Sequence, residues 1–132
     1  MPFTIEQKVL FRHCDPAGIV FFPRYFEMIN DATEAFFEWL EYPFEKILAE
    51  GGVPTAQIEA QFQNPSYHGD ILDIAVSCLK VGRSSADMKF QATCRDQLRF
   101  LAHSTLVHTG TTGRSAAWPE SLQTSLRQSR ER

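Results

Sequence analysis

Residues 23 to 40 carry one long apolar helical stripe, and no other stretch of the chain rivals it. Phe26, Ile29, Thr33, Phe36, Phe37 and Leu40 recur at spacings of three and four, the period of a helix with a buried face. Pro23 suits the first helical position, and Tyr42-Pro43 closes the segment. Aromatic side chains over so much of a helix's circumference need enclosure, and the rest of the sequence supplies strands. FTIEQKVLF places Phe3, Ile5, Val9 and Phe11 at period two, and strand-like runs follow at Ile58 to Phe62, Leu72 to Val81, Ala86 to Cys94 and Leu98 to Thr109. Asn64-Pro65 and Gly69-Asp70 mark a turn, while Gly82-Arg83-Ser84 and Asp96-Gln97 mark hairpins. Residues 44 to 50 read as a short second helix closed by Gly51-Gly52. The end, PESLQTSLRQSRER, opens as a short helix and runs out, from about residue 124, as a flexible charged tail.

The order β-α-(α)-β-β-β-β predicts an α+β domain: an antiparallel sheet of five or six strands with one dominant helix. A helix of about 18 residues is ~27 Å long. Five or six strands at ~4.8 Å make a sheet ~24 to 29 Å wide, so one curved sheet can wrap one helix lengthwise. With 132 residues and no repeat or linker, residues 1 to 132 read as a single domain with a true core.

Charge and cysteine usage exclude several classes. A net charge of -3 argues against general binding to nucleic acid or anionic membrane. MPFTIEQKVLF lacks the charged and apolar regions of a signal peptide, and no run is long enough to span a bilayer. Cys14, Cys78 and Cys94 are odd in number and lack metal-type spacing, which favours free thiols in a reducing cytoplasm. His68, His103 and His108 are scattered, so no metal site is expected.

One segment is unexplained by folding alone. In CDPAGIVFFPRYFEMINDATEAFF, residues 14 to 37, Asp15 stands eight residues before Pro23, too far upstream to cap the helix. Pro16 keeps Asp15 out of the helical region, and Gly18 permits a φ > 0 turn that brings the loop round. The segment resembles the signature of the 4-hydroxybenzoyl-CoA thioesterase family of the hotdog-fold superfamily. The resemblance continues through GGVPTAQIEAQFQNPSYHGDILDI, KVGRSSADMKF and LVHTGTTGRSAAWP, covering roughly residues 5 to 122. DPAGIV-x-F-P-x-Y is its most specific part.

The resemblance implies a hotdog fold, edge-to-edge dimers that commonly pair into homotetramers, and active sites at the dimer interface. It implies an acyl-CoA thioesterase for an aromatic or a short to medium-chain acyl group, needing no cofactor beyond the CoA of its substrate. It assigns Asp15 as catalytic nucleophile or general base and the backbone N–H of Phe22 as the donor that polarises the thioester carbonyl. A helix N-terminus, with unpaired N–H groups and a positive dipole end, suits that oxyanion. Gly18 and Tyr25 belong to the same motif on the substrate side. Thr55 and Ala56 match a segment facing the acyl group, and small side chains there leave room for a ring or branch.

Arg83 with Ser84 and Ser85 is the local candidate for the CoA phosphates, though an ordinary polar hairpin reads the same way. HSTLVH, residues 103 to 108, departs from the arginines the family carries near there. His13 is a substrate contact or a second proton-transfer group, or else a merely structural histidine at a strand end. Two other classes remain: a non-catalytic acyl-CoA-binding module, and a thioester hydratase or dehydratase, whose site needs a histidine with a carboxylate from the central helix, and no such histidine opens this helix.

Overall fold

The computed structural model describes residues 3 to 130 of the protein. In chain order the elements are β1 (Phe3–Lys8), a 3-10 turn (Phe11–His13), α1 (Pro23–Trp39), α2 (Phe44–Leu48), β2 (Thr55–Phe62), β3 (Ile71–Val81), β4 (Ser85–Cys94), β5 (Gln97–Val107) and α3 (Glu120–Arg130). The strands form one sheet in the order β1-β3-β4-β5-β2, antiparallel at every pairing. Alternate residues of β3, β4 and β5 point inward, among them Leu72, Ile74, Met88, Phe90, Phe100 and Leu106, all buried. Against them lies the inner face of α1: Tyr25, Met28, Ile29, Ala32, Phe36 and Phe37. The stripe read from the sequence, apart from the half-buried Phe26, lies on the face the sheet encloses, which also takes in Tyr25, Met28 and Ala32, and the α+β hotdog architecture stands with five strands.

Four local expectations need correction. β1 stops at Lys8, because the Val9 N–H and C=O are bonded to Asp70 O (2.7 Å) and Gly69 N (2.9 Å). Val9 is fully buried, but Phe11 turns outward and is 81% exposed. β2 begins at Thr55 rather than Ile58, with a register shift between Thr55 and Gln57. The last hairpin turns on Arg95-Asp96, not Asp96-Gln97: φ is 51° at Arg95 and 65° at Asp96, the pairing of left-handed residues that a two-residue hairpin requires. Residues 124 to 130, expected as a flexible tail, are the last turns of α3, which packs along β3 with Leu122 and Leu126 fully buried. One apolar i,i+4 pair holds it there, too sparse a stripe to register among Gln, Ser and Arg.

β2 is the edge strand on one side, and every residue of it except Ala60 is exposed. Ile58 and Phe62 are apolar members of that open edge. The same end of the molecule holds the start of α1, where Tyr25 stacks on Phe62 with ring centroids 5.4 Å apart.

Candidate active site

Residues 13 to 21 form a small hairpin that explains the upstream placement of Asp15. Phe21 N–H donates to His13 O, Cys14 bridges Val20, and Asp15 N–H donates to Ile19 O, each hydrogen bond being 2.9 Å. The turn closes with Gly18 N–H on Asp15 O at 2.9 Å, and Gly18 has φ 83°, a conformation that side-chain-bearing residues adopt only with strain. Asp15 Oδ1 accepts the Ala17 N–H at 2.9 Å, an Asx turn that orients the carboxylate. Oδ2 has no partner among the described residues. One oxygen positions the group and the other is available.

The hairpin leads straight into α1, whose N-cap is Phe22 with Pro23 following. Arg24 N–H and Tyr25 N–H are taken by Phe21 O and Phe22 O, at 2.8 and 3.0 Å. Proline has no N–H to offer. The Phe22 N–H has no hydrogen-bond partner among the described residues, so it stands at the positive end of α1 as an open donor. Asp15 and Gly18 thus lie on the hairpin and Phe22 at the helix start it leads into, whereas Tyr25, expected on the substrate side, is a core residue, 3% exposed and packed on Phe62 and Phe100.

A buried ion pair holds that hairpin from below, and it was not read from the sequence. Val20 N–H donates to Ser66 O at 2.9 Å, and Ile19 bridges Tyr67, so the hairpin is an extra strand on loop 64–70. Arg99 Nη1 ties the loop down through Asp70 Oδ2 at 2.7 Å, Ser66 Oγ at 3.2 Å and Pro65 O at 3.2 Å. Burial acts to raise the Asp70 carboxyl, but hydrogen bonds from Arg99 and the Tyr67 N–H and the Arg99 charge outweigh it and hold the group below its usual range. Arg99 is left out of the pairing where Ala92 faces Phe100 and Thr93 faces Leu98. That irregularity aims it inward beside Phe100, and strict alternation hides it. Tyr25 is buried with its hydroxyl beside Ser66, and burial raises its pKa.

His13 is packed beneath the hairpin rather than open to a ligand. It is 2% exposed, and its Nδ1 accepts the Leu10 N–H at 2.9 Å, which fixes the 3-10 turn. Burial, aided by Arg12, lowers its pKa and favours the neutral ring. Cys14 is pushed the other way, its thiol raised by burial and by Asp15, so it gains no thiolate character.

Along α1 from Phe22, a groove of about 220 Å³ opens between the helix and β2, lined by Phe26, Ile29, Asn30, Thr33, Thr55, Ile58 and Ser104. Thr55 thus sits in a pocket wall, while Ala56 occupies the irregularity in β2. Asp31 is exposed beside Arg12 in a separate surface depression.

Arg83, Ser84 and Ser85 lie elsewhere. Their carbonyls are tied to Trp118 N–H, His108 N–H and Trp118 Nε1, at the far end of β3 from Asp70. β3 has 11 residues, which separates this turn from the hairpin by about 33 Å within one chain. The exposed Arg83 side chain has no partner among the described residues.

Known proteins resemble the chain in sequence and in fold. It is 29% identical over 98 residues to the 4-hydroxybenzoyl-CoA thioesterase of Pseudomonas sp. (strain CBS-3), an alignment spanning 70% of this chain and 67% of that protein. It superposes on a 1,4-dihydroxy-2-naphthoyl-CoA thioesterase from Synechocystis with TM-score 0.88 at 20% identity, over 96% of each chain. A gentisyl-coenzyme A thioesterase superposes with TM-score 0.88 at 22% identity, over 94% of this chain and 99% of the other. At those identities the two structures speak for the fold. The sequence profile of the thioesterase-like superfamily matches residues 9 to 126, taking in the hairpin, the helix and every strand of the sheet except β1. The chain belongs to the thioesterase-like superfamily.

Proposed function

We propose that the protein hydrolyses the thioester of an aromatic acyl-CoA, giving the free acid and CoA. The observation that carries the reading is the open Phe22 N–H at the head of α1 on the hairpin that holds Asp15. A carbonyl oxygen placed on that N–H gains positive potential just where negative charge develops during attack. Asp15, through Oδ2, either adds to the carbonyl carbon or removes a proton from a water that adds. The C–S bond then breaks, the thiolate leaves and takes up a proton, and one water is consumed per thioester. By the first route a mixed anhydride forms on Asp15 and water resolves it. The named relatives act on ring-bearing, hydroxylated acyl groups, and the groove beside α1 is wide enough for a ring.

The working unit in this reading is a dimer joined at β2. The edge is open, and Ile58, Phe62 and Phe22 leave apolar surface beside it, which favours a partner. An antiparallel β2–β2 pairing sets the Thr55 end of one copy against the Phe62 end of the other. Arg83 lies on the Thr55 side of the sheet, two strands in from that edge, or ~10 Å. Pairing therefore draws the second copy's Arg83 turn toward the first copy's hairpin, where it can hold a CoA phosphate that its own chain's Asp15 site cannot offer it.

Thiol release from a panel of acyl-CoA compounds, followed with a thiol reagent, tests the proposal. Turnover of ring-bearing acyl-CoA above the uncatalysed rate is expected. Binding of the same compounds without thiol release would make the protein an acyl-CoA-binding module instead.

A further inference from the structure

Of the polar residues that line the groove between α1 and β2 (Asn30, Thr33, Thr55 and Ser104), Ser104 stands apart. Ser104 is 5% exposed, and its Oγ is fully buried without a hydrogen-bond partner among the described residues. Its cross-strand neighbours are Ile58, which has no polar side-chain atom, and Met88, whose thioether is only a weak acceptor. The one other buried hydroxyl in the groove wall, Thr33 Oγ1, is already committed to Ile29 O at 2.8 Å. A buried hydroxyl without a partner costs free energy that neither folding nor packing here returns. Ser104 lines the groove, and a rotation about its Cα–Cβ bond that turns Oγ toward a polar atom of a bound ligand removes that cost.

We propose that Ser104 Oγ is a specificity-determining contact of the acyl groove, hydrogen-bonding a hydroxyl carried on the ring of the bound acyl group. This rests on the thioesterase reading for the identity of the ligand and adds the residue that selects among ligands. The space fits: an apolar cavity of about 150 Å³ accepts benzene, and this groove holds about 220 Å³. The placement fits as well. Phe26 and Ile29, which line it, follow Phe22 by one and two turns of α1, about 6 and 10 Å along the axis. A carbonyl held at the Phe22 N–H therefore points a single ring down the groove toward Ser104. An unsubstituted ring fills the same space and leaves the hydroxyl unsatisfied, so the discrimination comes from the polar atom rather than from size.

The test compares kcat/KM for benzoyl-CoA with that for its 2-, 3- and 4-hydroxy derivatives, in the full chain and in Ser104→Ala and Ser104→Thr. One hydroxylated isomer should be preferred over benzoyl-CoA by about tenfold, the scale of one hydrogen bond that satisfies a buried group. Ser104→Ala should cut that ratio by about tenfold, and Ser104→Thr, which keeps the hydroxyl, should restore most of it. A ratio that Ser104→Ala leaves intact overturns the proposal, as does a wild-type protein without preference. Calorimetric binding of the same four compounds separates this from the catalytic reading. A Ser104-dependent binding preference without thiol release supports the contact while sinking hydrolysis, and hydrolysis with no such preference does the reverse.

Discussion

Arg99 Nη1 donates to Asp70 Oδ2 at 2.7 Å with both side chains buried, and through that pair the far strand of the sheet grips the loop on which the Asp15 hairpin is built. Removing one partner leaves the other charge buried and uncompensated. Arg99→Met should therefore destabilise the protein by about 3 to 5 kcal/mol, read from urea or thermal unfolding. A loss below about 1 kcal/mol, the scale of an exposed pair, would mean that the loop is held by its backbone bonds alone.

The same pair gives acid unfolding a sign. The Asp70 carboxyl is held below its usual value of 3.8 in the fold, so the unfolded chain binds the proton first as pH falls. The stability it contributes is complete above that value and is lost as pH drops through the lower folded one. Asp70→Asn should flatten the fall of Tm below about pH 4, relative to wild type. His13 acts in the same direction at higher pH: its lowered pKa means stability declines as pH falls from 6.5 toward the folded value. An acid limb unchanged in Asp70→Asn would assign acid sensitivity to other carboxylates.

What could be read from the sequence tracks what is periodic. The α1 stripe and the strands declare themselves because one-sided burial repeats at 3.6 or 2 residues. Asp15 and Phe22 could be singled out as candidates because a motif surrounds them. Arg99 was not, since an irregular pairing breaks the alternation that would otherwise mark it, and Asp70 passed as one half of a Gly-Asp turn. Ser104 passed as a polar strand residue, because nothing in HSTLVH says which side chains face the helix. The separation of Arg83 from Asp15 within one chain depends on strand order, which local pattern does not encode.

Assembly at the β2 edge is open to direct measurement. Ile58 lies on that edge, 38% exposed, and Ile58→Asp puts a charge where two copies would meet. Sedimentation at micromolar concentration should show wild type as a dimer or tetramer and the variant shifted toward monomer; because Ile58 also lines the groove, the assembly state and not the activity of the variant is the readout. A wild type that sediments as a monomer would remove the two-chain site.

The carrier end has its own test. If the exposed Arg83 side chain of one copy holds a phosphate for the other, Arg83→Ala should raise KM for a CoA thioester roughly tenfold. It should have little effect on a pantetheine thioester that lacks the nucleotide. Equal losses on both substrates would mean that the 82–85 turn acts through the packing of Trp118.

Asp15→Asn measures the central claim most directly. Asparagine keeps an oxygen for the Ala17 N–H and nearly the same shape, so the hairpin, the Pro16 turn and the open Phe22 N–H should all survive. The attacking or proton-accepting charge is lost. The account predicts an unchanged Tm, little change in affinity for a non-hydrolysable acyl-CoA analogue, and a fall in kcat of about 10²-fold or more, with a trace of turnover left to the Phe22 N–H. Near-normal turnover at an unchanged Tm would contradict it, reducing Asp15 to a turn residue and leaving the hydrolysis without its carboxylate.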